Sequence, residues 1–544
     1  MRNFIFTFAT AAFALLIAGC GSPSGGNMPT DSRAIVSDKS TTTHTIYGDV
    51  QGYLDGGVYT FKGIPYAKAE RFMPPQSPDK HEGVKIYRLY SPKAPQGQTL
   101  AWGGDKESDY AFGNQFKLEQ MDEAGCLVLN VWTKGLNDGK KRPVFVWMHG
   151  GGYSSGSAID LPCYEGRALA EKGDIVTVTL NHRLNVLGYI DLTAVGGKYA
   201  ESVNLGQQDL VKALEWVRDN IAFFGGDPAN VTIGGQSGGG GKVSTTMTMP
   251  SAKGLFNKAI AQSGSMTGLS DNTYSRQLGL AFIREMGLTP ATMERINGFS
   301  YQELVDAGNK AQRALSEELR AKGENVRVGF SPVVDGKYVS GSSFNPDAPE
   351  ASRDVPMIIG TNLNEFVFNN NVEVTEAEAK AQLTGRLGSE EQADKFIAAF
   401  KQAYPDAAPK ELLNTDLNFR RGAVSQAISK SKQAKVYLYL FTWKPTLNAL
   451  GASHGMELPM MFDNVDVQRE MTGGTDAAYR MQDRMSEAWI SFIKTGIPAA
   501  EGLPEWEPFT EENGACMMLD NVSSIAYHHD KALLEFQNVG GGRR

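Results

Sequence analysis

The sequence contains few cysteines, four in 544 residues. One of them, Cys20, lies in the N-terminal segment, and the other three are Cys126, Cys163 and Cys516. Three thiols cannot all pair with one another, and their spacing is unlike that of a zinc site. The count therefore argues against a disulfide framework or a cysteine metal centre, and we expect buried or unpaired thiols.

The sequence also lacks any block of lysine and arginine, and its formal net charge is −8. Proteins that bind the phosphate backbone of nucleic acids need positive charge gathered on one face. We therefore expect no nucleic-acid partner.

Long hydrophobic runs are missing after the N-terminus. The mostly apolar stretch from Phe4 to Ile17 is too short for an ordinary membrane-spanning helix and leads through Ala18 and Gly19 to Cys20. Small residues before a cysteine, directly after an apolar region, resemble a bacterial lipoprotein signal. In that interpretation the signal is cleaved before Cys20 and Cys20 carries lipid; a plain secretory signal is the alternative.

This pattern divides the chain into four parts. Residues 1–19 are the predicted signal peptide, and residues 20–44, rich in Ser, Gly, Thr and Pro, are a flexible tether. Residues 45–535 form one large domain, and residues 536–544 a disordered tail. We expect a monomer held on the bacterial cell envelope by its lipid, on the outer-membrane or periplasmic side, with the domain outside the cytoplasm.

What the sequence has in abundance is short apolar runs rich in β-formers, which alternate with amphipathic stretches. Nearly continuous apolar strands are typical of a parallel sheet buried on both faces. The helical spacing of Leu210, Leu214 and Val217 predicts a helix packed on that sheet. We predict an α/β fold with a large, mostly parallel central sheet flanked by helices, and a small N-terminal antiparallel sheet from residues 45–50 and 57–61. The six runs predicted as central strands are 143–148, 175–180, 231–234, 259–261, 355–359 and 436–441.

Two serines fit the pattern G-x-S-x-G, Ser154 and Ser237. Ser237 follows the predicted strand 231–234, and residues 242–249 beyond its glycines can form a helix. Strand, tight turn and helix is the context of a nucleophile elbow, in which the turn exposes the serine hydroxyl at the end of the sheet. Ser154 lacks a helical run behind it and is predicted to lie in a loop.

That loop contains the run HGGG at residues 149–152, which matches an oxyanion loop. When a serine attacks an ester, the carbonyl oxygen becomes negative, and each main-chain N–H already aimed at it lowers the barrier by about 3–4 kcal/mol. The expected donors are Gly151, Gly152 and Gly238, the residue after Ser237.

With these motifs the sequence resembles the type-B carboxylesterases, the cholinesterase-like branch of the α/β-hydrolases, from about Thr45 to about Tyr527. The resemblance implies the α/β-hydrolase fold. Its landmarks, besides HGGG, are FKGIPY at 61–66, RFMPP at 71–75, CLVLNVW at 126–132, NLG at 204–206, ALEW at 213–216, FGGDP at 224–228, NVTI at 230–233, PVVDG at 332–336 and GLPEW at 502–506.

The resemblance implies a catalytic triad of Ser237, Glu365 and His454, each on a loop after a strand. The chain order Ser, acid, His is that of the α/β-hydrolases. Asp335, in a Val-Asp-Gly turn, is the alternative acid. Three further residues, Gln236, Ser263 and Glu457, are candidates for support of the triad. In the family, the serine that corresponds to Ser263 lies near the acid. Glu457 could orient the loop that carries His454.

The chain departs from the family at several positions. Gln236 stands where most members have Glu, and Gly238 where most have Ala. We hypothesise that the glycines 238–241 make room for a bulky substrate group beside Ser237. The family's cysteine partner for Cys126 is missing, because the corresponding stretch reads Ala-Pro-Gln at 94–96. Phe116 lies near where choline-specific members carry a tryptophan, so a cholinesterase proper is not expected.

We therefore predict a serine carboxylesterase that hydrolyses small-molecule carboxylic esters through an acyl-enzyme, with no metal or organic cofactor. Two alternatives stay open. One is an α/β-hydrolase that cleaves amides or peptides. The other is a cholinesterase-like binding module without activity, although such modules typically lose the serine or the histidine.

Overall fold

The structure, a computed structural model, describes residues 34–97, 120–265, 267–326, 328–341, 344–367, 372–446 and 450–537. The predicted signal peptide, Cys20, Phe116 and the tail from residue 538 lie outside the described residues. None of the described helices is long and apolar enough to cross a lipid bilayer.

The described residues form fourteen strands in two sheets. The larger sheet has eleven strands in the order β14-β13-β12-β11-β10-β9-β7-β8-β6-β4-β3, and the smaller has the order β1-β2-β5. The strands are β1 Thr42–Thr45, β2 Gly48–Gln51, β3 Tyr53–Asp55, β4 Val58–Pro65, β5 Val84–Ile86, β6 Val128–Thr133, β7 Arg142–Met148, β8 Val176–Leu180, β9 Gly226–Gln236, β10 Lys258–Gln262, β11 Met357–Asn362, β12 Val436–Phe441, β13 Ala515–Leu519 and β14 Ser524–Tyr527.

The six predicted central strands are confirmed as β7 to β12. They lie side by side in the large sheet, and every adjacent pair among them is parallel. Every residue of β8, β10, β11 and β12 is buried. Their mostly apolar sequences agree with this burial, because helices cover both faces of a parallel sheet.

The N-terminal strands differ from the prediction in register and partner. Residues 45–50 do not form one strand, because the chain turns at Ile46 and Tyr47 between the antiparallel strands β1 and β2; the Thr45 hydroxyl donates to Gly48 O at 2.8 Å and stabilises this turn. The small sheet is mixed, since β5 runs parallel to β2. Residues 57–61 belong to β4, which pairs with β6 in the large sheet.

Residues before the domain boundary predicted at residue 45 form β structure. Val36 exchanges main-chain hydrogen bonds with Leu54, at 3.0 and 2.8 Å, and β1 starts at Thr42. The sequence predicts these residues as part of the tether, because their polar side chains do not form the apolar pattern of a strand.

Helices pack against the sheet. The helix predicted around Leu210 is confirmed as α3, Leu205–Asn220, with Leu210, Leu214 and Val217 buried. Helix α4, Gly238–Thr246, packs on β9 and β10, and helix α10, Asn418–Ser431, packs on β11 and β12. The helices are α1 Arg167–Gly173, α2 Asn185–Tyr189, α3 Leu205–Asn220, α4 Gly238–Thr246, α5 Thr273–Glu285, α6 Tyr301–Ala321, α7 Glu376–Leu387, α8 Glu390–Ala403, α9 Glu411–Asn414, α10 Asn418–Ser431, α11 Leu458–Met461, α12 Arg469–Thr472 and α13 Asp476–Thr495.

The three cysteines of the described residues, Cys126, Cys163 and Cys516, are buried and unpaired. This confirms the expectation of free thiols.

Candidate active site

Ser237 lies in a one-residue turn between the end of β9 at Gln236 and the start of α4 at Gly238. Its φ of 58° is in the left-handed region, where non-glycine residues are strained. The Ser237 N–H donates to Gln262 O, at the end of β10, at 2.8 Å. The strand before Ser237 and the helix after it keep the backbone in this strained conformation. The Ser237 side chain therefore lies at the carboxyl end of the parallel strands.

The glycines after Ser237 correct two of our predictions. Helix α4 begins at Gly238, inside the glycine run, rather than beyond it. The glycines also leave no room for a bulky group. A Cβ on Gly238 would overlap the main chain of Gly152, and one on Gly239 would overlap the carbonyl oxygen of Met148. The hypothesis of extra space is therefore wrong: these glycines let three backbone segments approach one another.

His454 and Glu365 are in direct contact. His454 Nδ1 lies 2.5 Å from Glu365 Oε2, and Glu365 Oε1 accepts the Asn362 N–H at 2.8 Å. Both side chains are buried, Glu365 completely. Because a carboxylate only accepts hydrogen bonds, His454 carries a proton on Nδ1.

The loops that carry these two residues are paired through their main chains. Glu365 forms a parallel β-bridge with Ser453, and the His454 N–H donates to Glu365 O at 2.8 Å. One step earlier, the Asn364 N–H donates to Ala452 O at 3.0 Å, and Asn364 Oδ1 accepts the Ala452 N–H at 2.9 Å. The imidazole and the carboxylate are thus positioned by the backbone as well as by each other.

The ring of Phe366 stacks on the imidazole of His454, with centroids 4.2 Å apart and planes 26° from parallel. Phe419, near the start of α10, lies 5.4 Å from the same imidazole. Sequence reasoning missed both aromatic residues in this role, although Phe366 follows the predicted acid directly.

Ser237 and His454 open into one cavity of about 150 Å³. Ser237 is partly exposed there, while His454 is nearly buried. Ser155 rather than Ser154 borders the cavity, and Ser154 is exposed on the loop. The cavity is lined by His149, Gly150, Gly151, Gly152, Ser155, Gly156, Ser157, Asp160, Leu161, Tyr164, Gln236, Ser237, Phe366, His454, Gly455 and Leu458.

The HGGG loop has the backbone expected of an oxyanion loop. Gly151 and Gly152 have φ values of 81° and 60°, which explains why glycine stands at these positions. No described residue accepts a hydrogen bond from either N–H. Gly238 packs against Gly152, so the three glycines predicted as donors are neighbours in the structure.

The three predicted supporting residues differ in their surroundings. Glu457 accepts hydrogen bonds from Asn362 Nδ2 at 2.5 Å and Gln262 Nε2 at 3.2 Å. Burial raises the pKa of its carboxyl to about 7; the Asn362 hydrogen bond opposes this shift and the charge of Glu365 adds to it. Gln236 is buried and borders the cavity.

Ser263 is buried at the end of β10, and its N–H donates to Gly360 O at 2.8 Å. Its hydroxyl has no hydrogen-bond partner among the described residues. Among the described residues, the Ser263 hydroxyl therefore makes no hydrogen bond to the Glu365 carboxylate.

The alternative acid lies elsewhere. The Asp335 carboxylate accepts the main-chain N–H groups of Lys337 and Tyr338, both at 2.7 Å, and the Asn204 side chain at 2.5 Å. It caps a turn, and Glu365 is the acid beside His454. Among the described residues, no cluster of three or more His, Cys, Asp or Glu side chains is placed to hold a metal ion.

Comparison with known proteins agrees with this geometry. The model of the family described as "Carboxylesterase family" matches residues 38–536. The para-nitrobenzyl esterase of Bacillus subtilis (strain 168) is 33% identical over 497 residues, which cover 88% of this chain and 95% of that protein. The fumonisin B1 esterase of Sphingopyxis macrogoltabida is 31% identical over 502 residues, which cover 89% and 87%.

Solved structures give the same result for the fold. An esterase from Clostridium hathewayi that can hydrolyse aliphatic aromatic polyesters superposes with a TM-score of 0.82 at 35% identity, covering 92% of this chain and 98% of that one. A thermophilic para-nitrobenzyl esterase superposes with a TM-score of 0.72 at 30% identity. The predicted α/β-hydrolase fold is confirmed, and the chain belongs to the carboxylesterase family as a carboxylic ester hydrolase.

Proposed function

We propose that this enzyme hydrolyses esters through an acyl-enzyme on Ser237, with His454 as general base and acid and Glu365 as the residue that orients it. The observation that carries the proposal is the 2.5 Å contact between His454 Nδ1 and Glu365 Oε2, in a cavity that the strained Ser237 also borders. A nucleophile, a base and an acid that orients the base form the catalytic triad of serine esterases.

In the first half of the reaction, Ser237 Oγ attacks the ester carbonyl and His454 Nε2 takes its proton. The imidazolium then returns this proton to the leaving alcohol, and the acyl group remains on Ser237. Glu365 stabilises the imidazolium by its negative charge and keeps the proton-accepting nitrogen on the Ser237 side.

The carbonyl oxygen becomes negative during the attack, and the N–H groups of Gly151, Gly152 and Gly238 stabilise it. Two properties support this role. The positive φ of Gly151 and Gly152 is a conformation that glycine adopts without strain, and N–H groups that have no acceptor among the described residues are available to the substrate oxygen.

In the second half, water attacks the acyl group. His454 takes a proton from that water and returns it to Ser237, so that the free acid leaves and the resting enzyme is restored.

For the substrate, we propose esters with a short acyl chain and an aryl or alkyl alcohol. The cavity that the described residues enclose, about 150 Å³, is small, and most ligand pockets are larger, roughly 300–1,000 Å³. Relatives named for a para-nitrobenzyl ester and for aliphatic aromatic polyesters make aromatic esters the first compounds to test.

The test compares Ser237→Ala with Ser154→Ala, since both serines lie in G-x-S-x-G stretches of the same chain. On a panel of p-nitrophenyl and benzyl esters with acyl chains of two to twelve carbons, Ser237→Ala should lose at least about 10⁴-fold in kcat. Ser154→Ala should keep wild-type turnover. Activity that survives in Ser237→Ala, or disappears in Ser154→Ala, would overturn the proposal; anilide analogues in the panel test amide cleavage.

We also propose that Cys20 is lipidated and holds the enzyme on the cell envelope. The apolar run that ends in Ala18, Gly19 and Cys20 supports this. Cells fed a labelled fatty acid should incorporate label into the wild-type protein and not into Cys20→Ser. Label in both proteins, or in neither, would contradict it.

A further inference from the structure

A lysine is buried directly beneath the oxyanion loop. Lys242 lies in α4, five residues after Ser237, and has no exposed surface. Its Nζ donates to His149 O at 2.8 Å and reaches Gly150 O at 3.4 Å. Both acceptors are neutral main-chain carbonyls, so the ammonium group is held by the loop rather than by a carboxylate.

The covalent structure of the loop connects one of these carbonyls, that of Gly150, to a proposed oxyanion donor. The C=O of Gly150 and the N–H of Gly151 belong to one peptide group. The same Gly150 oxygen also accepts the Nδ1–H of His149 at 2.9 Å. A carbonyl that accepts hydrogen bonds, above all from a charged donor, is polarised, and the N–H of its peptide group then donates more strongly.

Two buried cations lie in the region around Lys242. Arg183 is paired with the Asp209 carboxylate, whereas the Lys242 ammonium faces the HGGG loop. His149 and His182 stack on each other with centroids 5.0 Å apart. Burial, followed by the charge of Lys242, holds the pKa of each imidazole well below its usual value. The carboxylate of Asp160 is the opposing charge, and the ring of Tyr153 lies 5.9 Å from Nζ.

Burying an ammonium group costs several kcal/mol, and an apolar side chain of similar length avoids this cost. The hydrogen bonds that offset this cost are those from Lys242 Nζ to the main-chain carbonyls of the HGGG loop. We propose that Lys242 is a positioning residue for the oxyanion hole: its ammonium polarises the Gly150–Gly151 peptide group and so strengthens the Gly151 N–H as a donor to the transition state. The inference rests on the proposed function, because it requires an oxyanion at Ser237.

This role predicts how kcat depends on pH. Burial lowers the pKa of Lys242 to about 7, with the charge of Asp160 opposing the shift. Protonated and neutral amines can both donate to His149 O, so the loop stays in place when the charge is lost. A lysine is charged below its pKa and neutral above it; kcat should therefore fall as the pH rises through the titration of Lys242.

The experiment measures kcat and KM from pH 5 to 10 for the wild type, Lys242→Met and Lys242→Arg. Lys430→Met is the matched control. Lys430 is also buried in a helix, and its Nζ donates to the carbonyls of Ser352 and Arg353 at 2.6 and 2.9 Å, but it does not border the cavity. Its replacement should lower stability and leave the shape of the kcat profile unchanged.

In Lys242→Met we expect kcat to fall about tenfold at pH 6, with KM within about twofold, and the alkaline decline to disappear. Lys242→Arg keeps the charge over the whole range, so its kcat should show no alkaline decline up to pH 10. A purely structural lysine would alter thermal stability without removing the decline.

Three results would overturn the inference: a Lys242→Met profile with wild-type shape, an alkaline decline that Lys430→Met also loses, or a wild-type kcat that stays constant to pH 10 in the folded enzyme. If the variants at 242 do not fold, a wild-type kcat that stays constant to pH 10 still overturns the inference. If Ser237→Ala is inactive and Lys242→Met has normal kinetics, only the inference about Lys242 is rejected. If Ser237→Ala is active, the proposed function on which that inference rests is rejected.

Discussion

His454 Nδ1 lies 2.5 Å from Glu365 Oε2, and the other oxygen of the same carboxylate accepts the Asn362 N–H at 2.8 Å. Both carboxylate oxygens are therefore engaged, and the group cannot turn away from the imidazole without losing a buried hydrogen bond. Since an unsatisfied buried polar group costs about 1–3 kcal/mol, this arrangement fixes the imidazole orientation before substrate arrives.

The first prediction concerns Glu365. Glu365→Gln keeps the shape of the side chain but removes the charge that stabilises the imidazolium, so kcat should fall roughly 10³–10⁴-fold with little change in KM. Steady-state kinetics on a p-nitrophenyl ester measure the loss. The control is Asp335→Asn, which should keep wild-type kcat; a reversal of these two results would make Asp335 the acid.

A second prediction follows from the aromatic ring stacked on the imidazole. Phe366→Leu removes a face-on contact with centroids 4.2 Å apart, which stabilises the imidazolium of the transition state by about 1 kcal/mol. We expect kcat to fall about fivefold, with a smaller loss in Phe419→Leu, whose ring lies 5.4 Å away. Equal losses in the two variants would argue against stacking as the cause.

A third prediction tests the close approach of backbone segments at the elbow. A methyl group at Gly239 would overlap Met148 O, so Gly239→Ala should destabilise the protein by at least about 3 kcal/mol and abolish activity. In Gly385→Ala, on the exposed side of α7 with nothing near the new methyl group, we expect a gain of roughly 0.5–1 kcal/mol. Chemical denaturation measures both; a stable, active Gly239→Ala would contradict the packing.

The fourth prediction concerns the pH dependence of stability. The pKa of Glu457 is raised to about 7 in the folded protein, chiefly by burial. Its protonated form is thus favoured by folding; the stability it contributes is complete below its ordinary pKa near 4 and is lost as the pH rises through about 7. Glu457→Gln stays neutral throughout and avoids that loss.

The difference in unfolding free energy between Glu457→Gln and the wild type should therefore shift in favour of the variant by roughly 2–3 kcal/mol between pH 4 and pH 8. Urea denaturation at a series of pH values measures it. Asp416→Asn should shift in the same direction, since burial raises the pKa of that carboxyl to about 7 as well. A difference that does not change with pH would show that Glu457 is charged in the folded protein.

Six strands of the large sheet could be predicted because each is a mostly apolar run between polar turns, and burial on both faces favours such a composition. Ser237 could be found because its turn needs tiny neighbours, and the sequence shows them directly. Glu365 and His454 came from resemblance alone, since a lone acid or histidine carries no local signature.

The sequence could not show what the glycines 238–241 are for, because a missing side chain is equally compatible with an open space and with a crowded backbone. Lys242 and Phe366 were missed for a related reason. Lys242 is the single charged residue of α4, whose other residues are small or apolar and uncharged. Its burial under the HGGG loop depends on packing between segments about 90 residues apart.

The most direct test of the account is the site of covalent modification by a p-nitrophenyl phosphonate, which stops at the step that resembles the oxyanion intermediate. After complete inactivation, peptide mapping by mass spectrometry should find one phosphonate per chain, on Ser237, in the wild type and in Ser154→Ala, and none in Ser237→Ala. A phosphonate on Ser154, on Ser155 or on any residue of Ser237→Ala would contradict the assignment of the nucleophile.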